Sequence, residues 1–241
     1  MESVEIAQRE VGELNERAEG LSVEGVLDLA LSVPGIKAVF TTSFGAEDQV
    51  LTHMIACSGR PVDIITLDTG RLFNETHETF ERTRDKYGNI VRVFFPSPED
   101  VESYVNANGP DAFYRSVELR KECCFIRKIK PLERALKGHG LWITGLRADQ
   151  SENRAETSFF EWDGRFRLIK VNPLFRWSYD DVMAFARSHD VPYNPLHDVG
   201  YVSIGCAPCT RAISEGENFR AGRWWWESSH KECGLHPSKG H

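Results

Sequence analysis

The sequence predicts an α/β fold built on a parallel β-sheet with helices on both faces. Short β-branched or apolar runs alternate with helical patterns along most of the chain, which is typical of parallel sheets. The 241 residues suffice for one such domain with a substantial hydrophobic core. No run of 18 apolar residues occurs, so we expect no membrane span.

Five short apolar runs indicate the strands. They cover residues 36–42, 62–67, 90–95, 141–146 and 167–173. Helical patterns follow three of these runs, at residues 46–59, 74–88 and 178–190. Ser178 is a suitable N-cap for the last of these helices. A further helix, rich in Lys and Arg, is expected over residues 120–137.

The charge pattern argues against a general nucleic-acid binder, because the formal net charge is -7 and the pI is near 5.7. Positive charge is instead local. Residues 120–137 hold seven Lys or Arg against two Glu, and Arg220, Arg223 and Lys231 surround the last cysteine. These two groups suggest a small anionic ligand, although a solvated helix face is the alternative. The polar, acidic N-terminus does not resemble a signal peptide, so a cytoplasmic location with reduced thiols is expected.

Three strand ends carry small or polar residues, within 41–48, 67–73 and 145–151. In open parallel sheets ligands bind beyond the carboxyl ends of the strands, so these segments are expected to converge on one pocket. Small residues before a helix let backbone N–H groups approach a phosphate. Each segment alone is equally compatible with an ordinary cap or turn. Together they predict a nucleotide pocket.

Four cysteines form two pairs, Cys123 with Cys124 and Cys206 with Cys209. Four thiolates suit either tetrahedral Zn²⁺ or a [4Fe–4S] cluster. Adjacent side chains on a helix diverge by about 100°, which a cluster with separate iron corners accommodates better than one small ion. Two buried structural cysteines at positions 123 and 124 are the alternative.

The two remaining cysteines are expected to differ. Cys57 lies on the same helical stripe as Val50 and Met54, which predicts a core residue. Cys233 has no partner left and lies near cations, which lower the pKa of a thiol and increase its reactive fraction. From the residues alone, a simple exposed thiol at position 233 is equally compatible.

Several motifs together resemble the assimilatory sulfonucleotide reductases. They are Ser43-Phe44-Gly45-Ala46-Glu47-Asp48, Leu67-Asp68-Thr69-Gly70, the two cysteine pairs, and Glu232-Cys233-Gly234-Leu235-His236. The similarity runs from about residue 36 to the end and is to the iron–sulfur branch, the adenosine 5′-phosphosulfate (APS) reductases. It implies an adenine nucleotide α-hydrolase-like (PP-loop-type) fold and one [4Fe–4S] cluster. Relatives that consume ATP carry SGGxDS at the first motif. Glu47 would be a poor neighbour for a triphosphate, which fits a loop that binds a nucleotide without consuming ATP.

The resemblance also implies a reaction and a set of site residues. Cys233 would attack the sulfur of APS, release AMP and carry the sulfonate until a thioredoxin or glutaredoxin-like reductant releases sulfite. The cluster ligands would be Cys123, Cys124, Cys206 and Cys209. The substrate-binding residues would be Ser43, Phe44, Gly45, Asp68, Thr69, Gly70, Lys128, Arg147, Arg220, Arg223 and His236. Residues 1–215 would form the nucleotide- and cluster-binding domain, and 216–241 a mobile catalytic tail. From the residues themselves, the three tryptophans within 223–229 are expected to anchor the base of the tail against the domain, and a protein–protein contact patch is the alternative.

Other interpretations of the sequence remain open. The same chemistry on 3′-phosphoadenosine 5′-phosphosulfate (PAPS), or on both nucleotides, is the nearest, although that branch usually lacks the four cluster cysteines. An ATP-dependent tRNA-thiolating enzyme would need the SGGxDS loop and a broader basic surface. A non-catalytic metal-bound redox sensor would leave the strand-end motifs unused. A homo-oligomer is left open by the sequence.

Overall fold

The protein is built on a six-stranded sheet with the order β3-β2-β1-β4-β6-β5. The computed structural model describes residues 2–150 and 158–227. The strands are β1 (Ala38–Thr42), β2 (Val62–Leu67), β3 (Val91–Phe94), β4 (Leu141–Ile143), β5 (Phe160–Asp163) and β6 (Leu168–Val171). The first four and β6 pair in parallel, and β5 pairs antiparallel to β6. The predicted α/β class is confirmed, and the sheet is parallel except for β5.

Successive side chains of each strand point to opposite faces of the sheet, so buried apolar side chains form a layer on both faces. Phe40, Ile64 and Ile169 point to one side, where the helices Glu2–Ala18, Val23–Leu31, Ala46–Ser58 and Tyr179–Ser188 pack. Val39 and Ile65 point to the other side, against the helix Lys130–Leu136. Both faces of the central strands are therefore covered, which explains why they form nearly continuous apolar runs.

The helices connect the strands and begin at recognisable caps. Within the described residues they are α1 (Glu2–Ala18), α2 (Val23–Leu31), α3 (Ala46–Ser58), α4 (Asn74–Tyr87), α5 (Pro98–Asn108), α6 (Val117–Cys124), α7 (Lys130–Leu136) and α8 (Tyr179–Ser188). Ser178 caps α8 as predicted, in a reciprocal capping box with Asp181. Ser116 caps α6 by accepting a hydrogen bond from the Leu119 amide. Among the described residues, no helix combines the length and apolarity needed to cross a membrane.

The edge strand β5 is not among the strands expected from the sequence. Its antiparallel direction follows from a tight turn, in which the Asp163 carboxylate accepts hydrogen bonds from the amides of Arg165 and Phe166. That turn folds the chain back so that Phe160 pairs with Val171. Strand β5 therefore converts the expected all-parallel sheet into a mixed one.

The expected continuous basic helix over 120–137 is interrupted. A π-helical turn spans Phe125–Ile129 between α6 and α7, and the Lys130 amide donates to the carbonyl of Phe125. Pro131 explains the change, because it has no N–H and its ring crowds the carbonyl of the residue four positions earlier. The wider turn relieves that contact and changes the register of all later residues.

The expectation that Cys57 belongs to the core is wrong, because this residue is exposed. Val50 and Met54, on the same stripe, are buried as expected. Helix α3 ends one residue later, at Ser58, so its last turn extends past the packed region. The thiol there lies 3.6 Å from Nδ1 of His53.

Candidate active site

A pocket of about 230 Å³ lies beyond the carboxyl ends of β1, β2 and β4. The neighbours of β1 in the sheet are β2 on one side and β4 on the other, so chain direction across the sheet reverses there. Such a switch point leaves a crevice between the strand ends. Thr42, Leu67 and Thr144 line the pocket from these three strand ends. All three predicted strand-end segments contribute to the lining, which brings together motifs up to 100 residues apart.

One wall of the pocket, the loop wall, is formed by residues 43–48. Its first two backbone donors are used within the chain: the Ser43 amide donates to Asp48 Oδ2 at 2.6 Å, and the Phe44 amide to Thr42 Oγ1 at 3.1 Å. The Ser43 hydroxyl also donates to Asp48 Oδ2, at 2.7 Å. Burial raises the pKa of Asp48 to about 7, although these two hydrogen bonds oppose the shift. Phe44, at φ +60°, is buried and stacks on Phe80 rather than lining the pocket.

His197 closes the start of α3 on the same wall. The Ala46 amide donates to its Nε2 at 3.2 Å, and its Nδ1 lies 3.2 Å from the Tyr179 hydroxyl. Burial lowers the pKa of His197, against the influence of Glu47 and Asp198. A neutral ring with Nε2 as acceptor agrees with that shift. The amide that would otherwise be free to bind a phosphate thus already has a partner.

A buried ion pair lies behind the loop wall. Arg147 is fully buried, and its Nε donates to Glu47 Oε1 at 2.9 Å. It also pairs with Asp149, while Gln150 donates to the same Glu47 oxygen at 3.0 Å. The guanidinium of Arg147 is held within 5.5 Å of the Phe219 ring centroid. Arg147 is not among the pocket-lining residues, so its predicted substrate contact stays a prediction.

A second wall of the pocket, the thiol wall, carries positively charged side chains. Lys128, Arg220 and Arg223 line the pocket there, beside Cys206. Arg223 is buried, and its Nη1 lies 3.4 Å from the Ile204 carbonyl. Gly205 makes room for this side chain, because a Cβ there would lie 2.5 Å from the Arg223 Cζ. The predicted cations at positions 128, 220 and 223 therefore share one surface.

The turn after β2 connects the pocket to the cysteines. The Thr69 hydroxyl lies 3.3 Å from the Cys206 sulfur, and the Thr69 carbonyl accepts from Arg127 at 2.7 Å. Asp68 accepts from the Gly70 amide at 2.8 Å and lies 3.1 Å from His77 Nε2. Of the predicted turn residues, Thr69 lines the pocket, whereas Asp68 and Gly70 shape the turn.

The four paired cysteines line one further cavity, next to the pocket. Cys123 and Cys124 end α6, and Cys206 and Cys209 bracket a short 3₁₀ turn. All four are buried free thiols. Lys128 and Cys206 line both the cavity and the pocket, so these two spaces are neighbours. The two cysteine pairs therefore border the same cavity, and their role as cluster ligands stays a prediction.

The cations act unequally on these thiols. Burial alone would raise the pKa of Cys206, but Lys128, the Thr69 hydroxyl and Arg223 outweigh it and lower the pKa. Burial raises the pKa of Cys209 to about 12, and the neighbouring Cys206 adds to that shift. Lys128 and Arg223 thus outweigh burial at Cys206, which lines the pocket, but not at Cys209.

Trp224 completes the cavity. It is 1% exposed and its indole N–H has no hydrogen-bond partner in the described part of the chain. Within residues 2–150 and 158–227, no group of three or more His, Cys, Asp or Glu is arranged to hold a metal ion. Cys233 and His236, predicted as nucleophile and substrate ligand, lie outside the described residues.

Several lining residues were not singled out from the sequence. Leu132, Trp142, His197, Ser203 and Gly205 all line the pocket. Gly205 directly precedes a cysteine pair, and that position was the available signal. His197 lies in a loop without any periodic pattern, so only tertiary contact identifies it.

Comparison with known proteins gives a consistent result. The family model of the phosphoadenosine phosphosulfate reductase domain matches residues 37–212. An adenosine 5′-phosphosulfate reductase of Sinorhizobium fredii is 50% identical over 230 residues, covering 95% of this chain and 91% of the relative. One from Allochromatium vinosum is 55% identical over 199 residues, covering 82% and 78%.

Solved structures give the same picture. The crystal structure of a phosphoadenylyl-sulfate reductase from Candida auris, a phosphate complex, has a TM-score of 0.72 and 28% identity, covering 86% of this chain and 97% of the other. FMN adenylyltransferase of Candida glabrata in complex with ATP shares only the fold, with a TM-score of 0.54, 12% identity, and coverage of 99% and 76%. The chain belongs to the phosphoadenosine phosphosulfate reductase domain family.

Proposed function

We propose that this member of the family reduces APS to sulfite and AMP in sulfate assimilation, and thereby serves cysteine biosynthesis. The observation that carries the proposal is the adjacency of the pocket at the strand ends to the four-cysteine cavity, because Lys128 and Cys206 line both. The relatives named adenosine 5′-phosphosulfate reductases support APS as the substrate. This chain covers 91% and 78% of these two relatives, so we expect their activity in it.

The charge distribution supports one orientation of APS. Asp48 disfavours an anion at the loop wall, where the amides of Ser43, Phe44 and Ala46 already have partners. Lys128, Arg220 and Arg223 favour the phosphosulfate at the thiol wall, where arginine forks match phosphate and sulfate oxygens. The adenosine is then left to the part of the pocket lined by Leu132 and Trp142. Asp68, Gly70 and Phe44 would act by shaping the surrounding turns.

Four thiols around one cavity fit a [4Fe–4S] cluster, and we propose Cys123, Cys124, Cys206 and Cys209 as its ligands. The unpartnered buried N–H of Trp224 agrees with this assignment, because sulfur is a hydrogen-bond acceptor that such clusters expose to their surroundings. When bound, the cluster supplies an electrostatic and structural element beside the sulfate. Reduced thiols in this number also fit a cytoplasmic location.

The proposed reaction proceeds through the thiolate of Cys233. Its sulfur attacks the sulfur atom of APS, an S–S bond forms, and the S–O bond to AMP breaks with its electron pair leaving on the phosphate oxygen. Lys128, Arg220 and Arg223 would hold the anionic groups during this transfer. A thioredoxin or glutaredoxin-like thiolate then attacks the Cys233 sulfur and expels sulfite, and the second thiol of that reductant resolves the mixed disulfide.

The test is a single-turnover experiment without reductant. Wild-type protein mixed with APS should gain one SO₃ group on the peptide that contains Cys233, and release about one equivalent of AMP. Cys233→Ser should form no adduct while it keeps its iron and its nucleotide affinity. An adduct at Cys57 or Cys206, or AMP release without an adduct, would disprove the mechanism. A parallel reaction with PAPS decides whether the 3′-phosphorylated nucleotide is a second substrate.

A further inference from the structure

The segment Arg223–Glu227, here called the anchor segment, is attached to both cysteine pairs. The Trp224 amide donates to the Cys209 carbonyl at 3.1 Å, and Thr210 forms an isolated bridge with Arg223. These bonds attach the segment to the Cys206–Cys209 side of the cavity. The Glu227 amide donates to the Trp224 carbonyl at 2.9 Å, which closes the segment into a turn.

A buried ion pair makes the second attachment, to the helix that carries the other cysteines. Arg120, on α6, contacts Glu227 through two bonds, Nε to Oε1 at 2.6 Å and Nη2 to Oε2 at 3.0 Å. The two side chains are 1% and 5% exposed. A two-point contact of this kind fixes orientation as well as distance. Arg120 precedes Cys123 by less than one helical turn.

Aromatic contacts fix the segment between these attachments. Trp224 adopts a φ of +43°, a conformation that a non-glycine residue keeps only when its surroundings enforce it. The Arg120 guanidinium lies 4.6 Å from the ring centroid of Trp224. Trp226 packs edge-on against Tyr114, whose hydroxyl donates to the Pro208 carbonyl between the two cysteines of the second pair. The same residues thus contact the segment and the cysteine-bearing chain.

We infer that Arg120 and Glu227 are positioning residues: their ion pair fixes the anchor segment, from which the chain continues to Cys233. This inference rests on the proposed function of Cys233. Cys233 lies six positions after Glu227 in the chain, so their Cα atoms are at most about 20 Å apart. A displacement of Glu227 therefore shifts the region that the Cys233 thiol can reach. Because Arg120 lies on α6, the ion pair fixes the position of that region relative to Cys123 and Cys124.

Glu227→Gln tests the inference, because it keeps the side-chain volume but removes the charge that orients Arg120. The rate of S-sulfonate formation on Cys233 should fall by about ten- to a hundredfold, since small misplacements of reacting groups cost that much. The dissociation constant for APS and the iron content should stay within twofold of wild type. Glu215→Gln, an exposed glutamate earlier in the chain, is the matched control and should react at the wild-type rate.

Arg120→Lys is the second variant, since it keeps the positive charge and removes the two-point contact with Glu227. It should show a smaller loss of the same kind. Wild-type adduct formation in Glu227→Gln would overturn the inference. So would a parallel loss of iron, APS affinity and adduct in both variants, because that pattern belongs to a scaffold contact.

Amide hydrogen exchange separates this inference from the proposed function. Glu227→Gln should speed exchange in the peptide covering 223–227, while peptides of the sheet exchange as in wild type and Glu215→Gln changes neither. If wild-type protein forms no adduct, the proposed function fails. If wild-type protein forms the adduct but amide exchange at 223–227 is the same in Glu227→Gln as in wild type, the inference that the ion pair fixes the anchor segment is wrong.

Discussion

The two walls of the pocket use charge in different ways. On the loop wall, Glu47 is neutralised by Arg147, and Asp48 accepts two hydrogen bonds from Ser43. On the thiol wall, Lys128 and Arg223 act on the buried thiol of Cys206 and lower its pKa. The first wall is therefore held together by its own polar groups, whereas the second directs its charge towards the pocket and the cysteines.

This contrast separates residues that hold the pocket together from residues that we propose to bind the substrate. Both walls contain residues that were singled out from sequence motifs, so the motifs alone do not distinguish the roles of the two walls. The difference lies in what the charged groups contact: Glu47 pairs with Arg147 and Asp48 with Ser43, whereas Lys128 and Arg223 lower the pKa of Cys206. Changes on the loop wall should thus affect stability first, and changes on the thiol wall should affect iron content and substrate binding first.

The largest effect is expected from the cysteine cavity itself. Cys209→Ser should lose most of its iron and most of its activity, because a neutral hydroxyl is a poor replacement for a cluster thiolate. Cys57→Ser is the control, since that cysteine is exposed on α3. Iron and sulfide analysis with the visible spectrum measures the outcome. Full iron and wild-type turnover in Cys209→Ser would contradict the ligand assignment.

The loop wall is tested by Glu47→Ala. Removing one partner of a buried ion pair leaves Arg147 without its main counter-charge, and we expect a loss of about 3 kcal/mol in the free energy of unfolding. Asp149 remains beside Arg147, which keeps the loss at the lower end of the usual range. Urea unfolding measures it, with Glu215→Ala as the exposed control. A change below about 0.5 kcal/mol would mean that the pair is not structural.

The thiol wall is tested by Arg223→Ala, for which we expect APS to bind about ten- to a hundredfold more weakly. That range corresponds to charge-assisted hydrogen bonds of about 1.5–3 kcal/mol. Gly205→Ala should produce a similar loss without removing the charge, because its methyl group would displace the guanidinium. Isothermal titration in a Cys233→Ser background measures both variants. Normal affinity in both would remove Arg223 from the substrate site.

The smallest effect concerns pH. The pKa of Asp48 is raised to about 7, so this carboxyl is mostly neutral at pH 6 and mostly ionised at pH 8. Because ionised Asp48 repels the anionic ligand, APS should bind more tightly at pH 6, by at most about fivefold. Asp48→Asn should flatten this dependence. Titrations of the Cys233→Ser protein at both pH values test it, and tighter binding at pH 8 would contradict the sign.

The fold and the cysteine pairs were accessible from the sequence because they depend on local patterns. Apolar runs of strand length mark β1, β2 and β3, and paired spacing marks the four cavity cysteines. The family assignment from the motifs is confirmed by the relatives. The individual substrate-binding residues and the catalytic Cys233 stay predictions.

The remaining features depend on contacts between distant segments. Glu47 and Arg147 are separated by 100 residues, and nothing around either one indicates that they neutralise each other. His197 reaches the start of α3 from a loop 151 residues away. Strand β5 has only four residues and depends on pairing with β6. Such features arise from tertiary packing, which a single sequence does not reveal.

The π-helical turn of Phe125–Ile129 bears on how this sequence can change over time. A π turn holds one residue more than an α turn, and each residue added to or removed from a helix rotates all later residues of that helix by about 100°. Deleting one residue within the turn would move Leu132 and Leu136 away from the sheet while Cys123 and Cys124 stay in place. A change in the length of this stretch should therefore remove contacts between α7 and the sheet, which replacement of a single exposed side chain such as Phe125 would leave in place.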